Sequence, residues 1–89
     1  ESRHLGAILM GPGIGYAEAR AVLDALLFEL GLGGEYREAA HPSFIDGRLA
    51  EIHTSDCWAQ AGEIHPRVLN NQGLTFPVAY LEVFLHRIF

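Results

Sequence analysis

The spacing of apolar positions changes along the chain, and each change marks an element. Residues 5–10 (LGAILM) form a short apolar run that ends at Gly11-Pro12-Gly13, a length that suits a buried strand better than a helix. From residue 16 to 30, Ala19, Val22, Leu23, Leu26, Leu27 and Leu30 recur at spacings of three and four. That period predicts a helix with these side chains facing the core, and Gly31 follows at the C-cap position. The opposite side carries Ala17, Ala21, Ala25 and Phe28 among Glu18, Arg20, Asp24 and Glu29. A solvent face this small and this apolar marks Ala21, Ala25 and Phe28 as candidate interface positions, with tolerance of a helix for alanine as the simpler explanation of the alanines.

Beyond the helix the period falls to two. Gly33-Gly34 permits a reversal, and residues 35–40 read as a weak strand running into His41-Pro42, where proline denies a sheet its donor. Asp46-Gly47 predicts a turn with positive φ, after which residues 48–54 alternate charged and apolar positions as a strand with one wet face. Ser55-Asp56 predicts a second turn. Residues 58–63 then return as the partner strand, with Trp58, Gln60 and Gly62 on one face and Ala59 and Ala61 on the other. Pro66 suits the first turn of a short helix through Val68, Leu69 and Asn70, closed by Gly73, and residues 78–85 form a last strand. The order β-α-β-β-β-α-β predicts an α+β fold, a mainly antiparallel sheet with helices on one face. With no internal repeat or low-complexity linker, residues 1–89 read as a single domain or a fragment of one.

Composition narrows the function classes. At 89 residues and 49% apolar, the chain encloses one modest core. A net charge of -5, with six basic residues, all Arg, leaves no clustered footprint for phosphates, so no direct nucleic-acid binding is expected. Cys57 is the single cysteine, which excludes an internal disulfide and a thiolate metal set. No apolar run approaches the roughly 18 residues of a membrane span, and Glu1-Ser2-Arg3-His4 lacks the apolar core of a signal peptide. A soluble chain of the cytoplasm, without membrane contact, is the expectation.

Several residues invite a chemical reading. Glu63 and His65, two apart at a strand end, project to one face as an acid/base pair would, yet they adjoin Pro66, where a carboxylate or imidazole also satisfies helix N-terminal amides. Arg48 and Glu51 stand on opposite faces of one strand by parity, which argues against joint binding of one ligand and for a structural pairing of Arg48 with a carboxylate near the Gly47 turn, with a partner-facing role for Arg48 as the alternative. His4, His41, His53, His65 and His86 show no zinc-ligand spacing. Gly11-Pro12-Gly13-Ile14-Gly15 precedes a helix but lacks the Lys-Ser/Thr of a phosphate loop and the third glycine of GxGxxG, so turn chemistry explains it better. The residues thus assign no catalytic, cofactor-binding or metal site.

Two segments together resemble a known family. Residues 41–52 read HPxFxxGRxAEI, with His41, Pro42, Phe44, Gly47, Arg48 and Glu51 at the marked positions, and residues 62–69 read GEIHPxVL, with Gly62, Glu63, His65 and Pro66. This pair resembles the end of the catalytic-like module in the β subunit of phenylalanyl-tRNA synthetases. Residues 16–27 are similar to the family's helix, and residues 70–83, with Gly73-Leu74 ahead of Pro77-Val78 and Glu82, to its terminal stretch, in the archaeal form. Asp56-Cys57 departs from the Asp-Gly turn of the family's hairpin, and the family's subunit is several times longer.

The resemblance implies a class II synthetase fold without synthetase chemistry. It implies a non-catalytic module of a phenylalanine-tRNA ligase β subunit, with the α subunit and the remainder of the β subunit as partners. ATP and magnesium would serve the whole enzyme, which joins phenylalanine to tRNA, and none would bind this segment. The motif residues would be a framework and Ala21, Ala25 and Phe28 an interface. The alternatives are a freestanding synthetase-like paralogue acting as a protein-interaction module and, with less support, a small enzyme using Glu63 and His65.

Overall fold

The computed structural model describes residues 3–11 and 13–85. Its elements are β1 (Arg3–Met10), α1 (Tyr16–Glu29), β2 (Arg37–Glu38), β3 (Phe44–His53), β4 (Cys57–Ile64), α2 (Pro66–Asn71) and β5 (Val78–Leu85). Pro12 of the glycine-rich turn and His86 lie outside the described residues. The strands form one sheet in the order β1-β5-β4-β3-β2, antiparallel at every pairing. The α+β class and the element order are those the hydrophobic pattern predicts.

One face of the sheet is built for α1. Cys57, Ala59 and Ala61 on β4 pair with Leu85, Val83 and Leu81 on β5, while Ile52 of β3 pairs with Ala59. Alternation puts all of these on one side, where Ala19, Leu23 and Leu27 of α1 pack on them. The small side chains of β4 let the helix approach closely, and the leucines fill the layer between. The covered stripe on α1 is narrower than its apolar period suggests. Ala19, Leu23 and Leu27 are buried, whereas Val22 is 44% and Leu30 39% exposed. A single helix crossing β4 and β5 hides one i, i+4, i+8 row, and the flanking positions emerge at its sides. The helix stops where Gly31 takes φ 70°, and Leu32 N–H reaches back to the Leu27 carbonyl.

Two strand boundaries differ from the sequence reading. The weak strand of residues 35–40 shrinks to Arg37 and Glu38, paired with Glu51 and Ala50 at the sheet edge. Gly47 adopts the positive φ expected of it, 77°, but inside β3. There it makes a bulge: Leu49 pairs with Gly62 and Phe44 with Ile64, so three more residues are spent on β3 than on β4. β2 pairs only with Ala50 and Glu51, the residues just past this bulge. The bulge folds Phe44 over Gly62, where an added Cβ would lie 2.6 Å from the Phe44 ring and 2.8 Å from Leu49.

The β3-β4 hairpin needs no glycine. Thr54 N–H donates to the Cys57 carbonyl at 2.8 Å, and the Thr54 hydroxyl accepts from the amides of Asp56 and Cys57 at 3.2 and 3.1 Å. This side-chain-stabilised turn keeps φ negative at both positions of the Asp56-Cys57 departure. The second face of the sheet carries His4, Ile8 and Met10 of β1 beside Tyr80, Glu82 and Phe84 of β5. Ile8 is 65% and Met10 58% exposed there.

Candidate functional site

The residues singled out in the sequence converge where β4 ends. Glu63, the penultimate residue of β4, has the parity of Ala59 and Ala61 and therefore points to the helix side. Its Oε1 accepts from Tyr16 N–H, the first amide of α1, at 3.0 Å. Its Oε2 accepts from Arg48 Nη1 at 2.9 Å. One carboxylate thus ties β4 to β3 and caps a helix that begins 47 residues earlier. Gly15, just ahead of that helix, has extended backbone and no capping side chain of its own. A Cβ at Gly15 would stand 2.9 Å from Glu63 Oε1, so glycine is there to let the carboxylate in. Glu18 completes the cap by accepting from Gly15 N–H at 2.7 Å.

His65 is the N-cap of α2. Its Nδ1 accepts from Arg67 N–H at 3.0 Å, Pro66 occupies the first turn, and Gly73 follows the helix at φ 73°. The 41–43 segment docks on this start: His65 N–H donates to the Ser43 carbonyl at 2.8 Å and Arg67 Nη2 to the Pro42 carbonyl at 2.9 Å. His41 Nδ1 accepts from Ser43 N–H at 3.1 Å, and its ring meets Phe44 edge-on at 5.8 Å. Between these pieces lies a groove of about 600 Å³ lined by His41, Pro42, Phe44, Asp46, His65 and Arg67.

This geometry leaves little for acid/base chemistry. Both oxygens of Glu63 are engaged, and the imidazole nitrogen of His65 nearest the backbone serves α2. Arg48 and Glu51 are indeed on opposite faces, Arg48 with Glu63 on the helix side and Glu51 3.5 Å from His53 Nε2 on the other. Ala21, Ala25 and Phe28 lie exposed on α1, Phe28 at 81%.

Two clusters escaped the sequence reading. On the second face of the sheet, Glu82 binds His4 Nε2 at 2.5 Å and Gln60 Nε2 at 2.9 Å, and hydrogen-bonds Tyr80. Burial by itself raises the Glu82 pKa, but the bonds from Tyr80, His4 and Gln60 outweigh it and hold the carboxyl below its ordinary value. Burial first, and then the bond to Glu82, push the Tyr80 phenol up to about 12. Alternation in residues 80–84 places Tyr80 and Glu82 together, but their meeting with Gln60 and His4 depends on strand order. On α1, Arg20 lies 3.9 Å from the centre of the Tyr36 ring, and the Tyr36 hydroxyl donates to Asp24. This pair fastens the segment between α1 and β2 onto the helix.

Among the described residues no three His, Cys, Asp or Glu side chains are grouped to hold a metal ion. Magnesium with ATP would require free carboxylate oxygens and an available cation. Glu63 is shared between Tyr16 and Arg48, and Glu82 between His4 and Gln60, so neither of these carboxylates is free to hold magnesium. No described helix is long and apolar enough to cross a membrane.

Comparison with known proteins matches residues 1–85 to the family described as phenylalanyl tRNA synthetase beta chain CLM domain. Among curated proteins, the phenylalanine–tRNA ligase beta subunit of Thermococcus kodakarensis is 42% identical over 82 residues, covering 91% of this chain and 14% of the relative. The beta subunit of Methanospirillum hungatei is 42% identical over 79 residues, 88% of this chain and 14% of the relative. That of Thermofilum pendens is 40% identical over 79 residues, with the same shares of 88% and 14%. The chain therefore spans about 14% of the length of these relatives.

Proposed function

Because the chain belongs to the phenylalanyl-tRNA synthetase β-chain CLM-domain family, and so to its catalytic-like module, we propose that it is a framework without catalytic residues. In this reading residues 1–89 form one module or part of one within a longer β subunit. Its partners are the rest of that subunit and an α subunit, in an assembly that attaches phenylalanine to tRNA in the cytoplasm with ATP and magnesium. The chemistry belongs to the α subunit.

The observation that carries the reading is the use made of Glu63. The residue with the strongest resemblance to a general acid or base spends both oxygens on α1 and Arg48. His41, Pro42, Phe44, Gly47, Arg48, Gly62, His65 and Pro66 likewise act in the bulge, the caps and the docked segment, while Glu51 faces His53. The exposed Ala21, Ala25 and Phe28 stripe is the surface offered to a partner.

Co-expression of a β subunit carrying this module with its cognate α subunit, followed by size-exclusion chromatography, tests the assembly. Wild type co-elutes, and Phe28→Lys weakens the complex while the variant keeps its fold. Absence of a complex, or a complex indifferent to substitution on all three positions, removes the interface assignment. Turnover of a substrate by the 89 residues alone, abolished by Glu63→Gln, would remove the framework reading.

A further inference from the structure

The groove beside α2 gathers the side chains of His41, His65 and Arg67 in its lining, and each keeps donor capacity beyond the bond it makes to the backbone. His41 Nδ1 and His65 Nδ1 both accept backbone N–H bonds, from Ser43 at 3.1 Å and Arg67 at 3.0 Å. A ring nitrogen that accepts cannot carry its own proton, so each neutral ring bears its hydrogen on Nε2, at the far side from the backbone. Each ring therefore carries its donor at Nε2, on an imidazole anchored by the Nδ1 bond. Arg67 adds a guanidinium held at the rim by its Nη2 bond to the Pro42 carbonyl. His41, His65 and Arg67 all line the same groove of about 600 Å³.

We infer that this groove is a binding site for a single carboxylate, taken by the Arg67 guanidinium with the two imidazole N–H groups. The planar guanidinium fork matches two carboxylate oxygens, and anchored donors lose little freedom on binding. Charge selects against a larger anion. Asp46 is the acid in the lining, and the whole chain carries -5, so a dianionic phosphate meets more repulsion than a singly charged carboxylate. The assignment is independent of the subunit role, since it rests only on the groove's donors.

Titration of the 89-residue chain followed by NMR at pH 8 tests it. The probes are sodium acetate, N-acetylglutamic acid amide, sodium phosphate and sodium chloride at matched ionic strength. Saturable shifts of the His41 and His65 ring signals and the Arg67 side-chain N–H with the carboxylates support the site. Tighter binding of the glutamate derivative identifies an acidic protein side chain as the source, and equal or tighter binding of acetate a free small acid. His41→Asn and His65→Asn keep an acceptor for the backbone amides but remove Nε2–H. Each should weaken binding about fivefold, and Arg67→Gln at least about tenfold. Shifts equal to those of chloride, tighter binding of phosphate, or full affinity in all three variants would overturn the proposal.

Discussion

Replacing Glu63 by alanine removes the acceptor for the first amide of α1 and the partner of Arg48 in one step. The Glu63 side chain is only 13% exposed, so the loss should cost about 2–3 kcal/mol, seen as a lower urea midpoint with an unchanged slope. Arg48→Met should cost less, about 0.5–1 kcal/mol, because the guanidinium is half in water. Gly62→Ala should also destabilise, by about 1–3 kcal/mol, since Phe44 and Leu49 already occupy the space its methyl needs. Phe44→Leu in that background should recover part of the loss in a double-mutant cycle. The sequence marks Glu63 and Gly62 as unusual through their motif. It does not show that Gly15 is small for the sake of a carboxylate on another strand, because local spacing carries no information about that approach.

At the scale of elements, the helices and strands follow from period and punctuation, and the errors come from tertiary coverage. Val22 and Leu30 share the period of α1 with Leu23 and Leu27, but a helix lying on β4 and β5 turns one row toward the sheet and leaves the flanking apolar positions at its sides. Gly47 signals positive φ in the sequence. Whether that ends a strand or bulges one depends on whether β4 continues alongside, and it does, from Gly62 to Ile64. For α2, six residues long, capping outweighs propensity. His65→Ala should cost about 1 kcal/mol and fray the helix, whereas His65→Asn should hold it. Thermal melts and amide exchange at Arg67 and Val68 would separate the two, and equal loss in both variants would refute the capping role of His65.

For the whole molecule, the first and last strands pair along their length, from Arg3 with Leu85 to Met10 with Val78. The Glu82 cluster reinforces that closure through His4, and it gives a pH dependence. The folded carboxyl titrates below its unfolded counterpart, so its contribution is present above the ordinary carboxylate pKa and is lost as pH falls through the folded value. Acidification through the carboxylate range should therefore weaken the chain. Glu82→Gln should reduce that slope in denaturant titrations across the range, and an unaltered slope would count against the role of Glu82. The covered and uncovered faces of the sheet also differ at this scale: α1 closes one, and Ile8, Met10 and Phe84 remain exposed on the other.

The sequence by itself determined the order of elements, the alternating faces of the β3-β4 hairpin, the helix start at Pro66 and the family, because periodicity, turn chemistry and motif spacing are local or ordered along the chain. The apolar run of β1, by contrast, reads as buried and lies at the sheet edge with Leu5, Ile8 and Met10 exposed. The tertiary structure decided the meeting of Glu63 with Tyr16 and of Glu82 with His4, the β3 bulge, and the groove between His41 and Arg67. Those depend on which strands become neighbours and how closely they approach. Such contacts form between residues far apart in the chain, where the free energy of packing selects among pairings that local patterns leave equivalent.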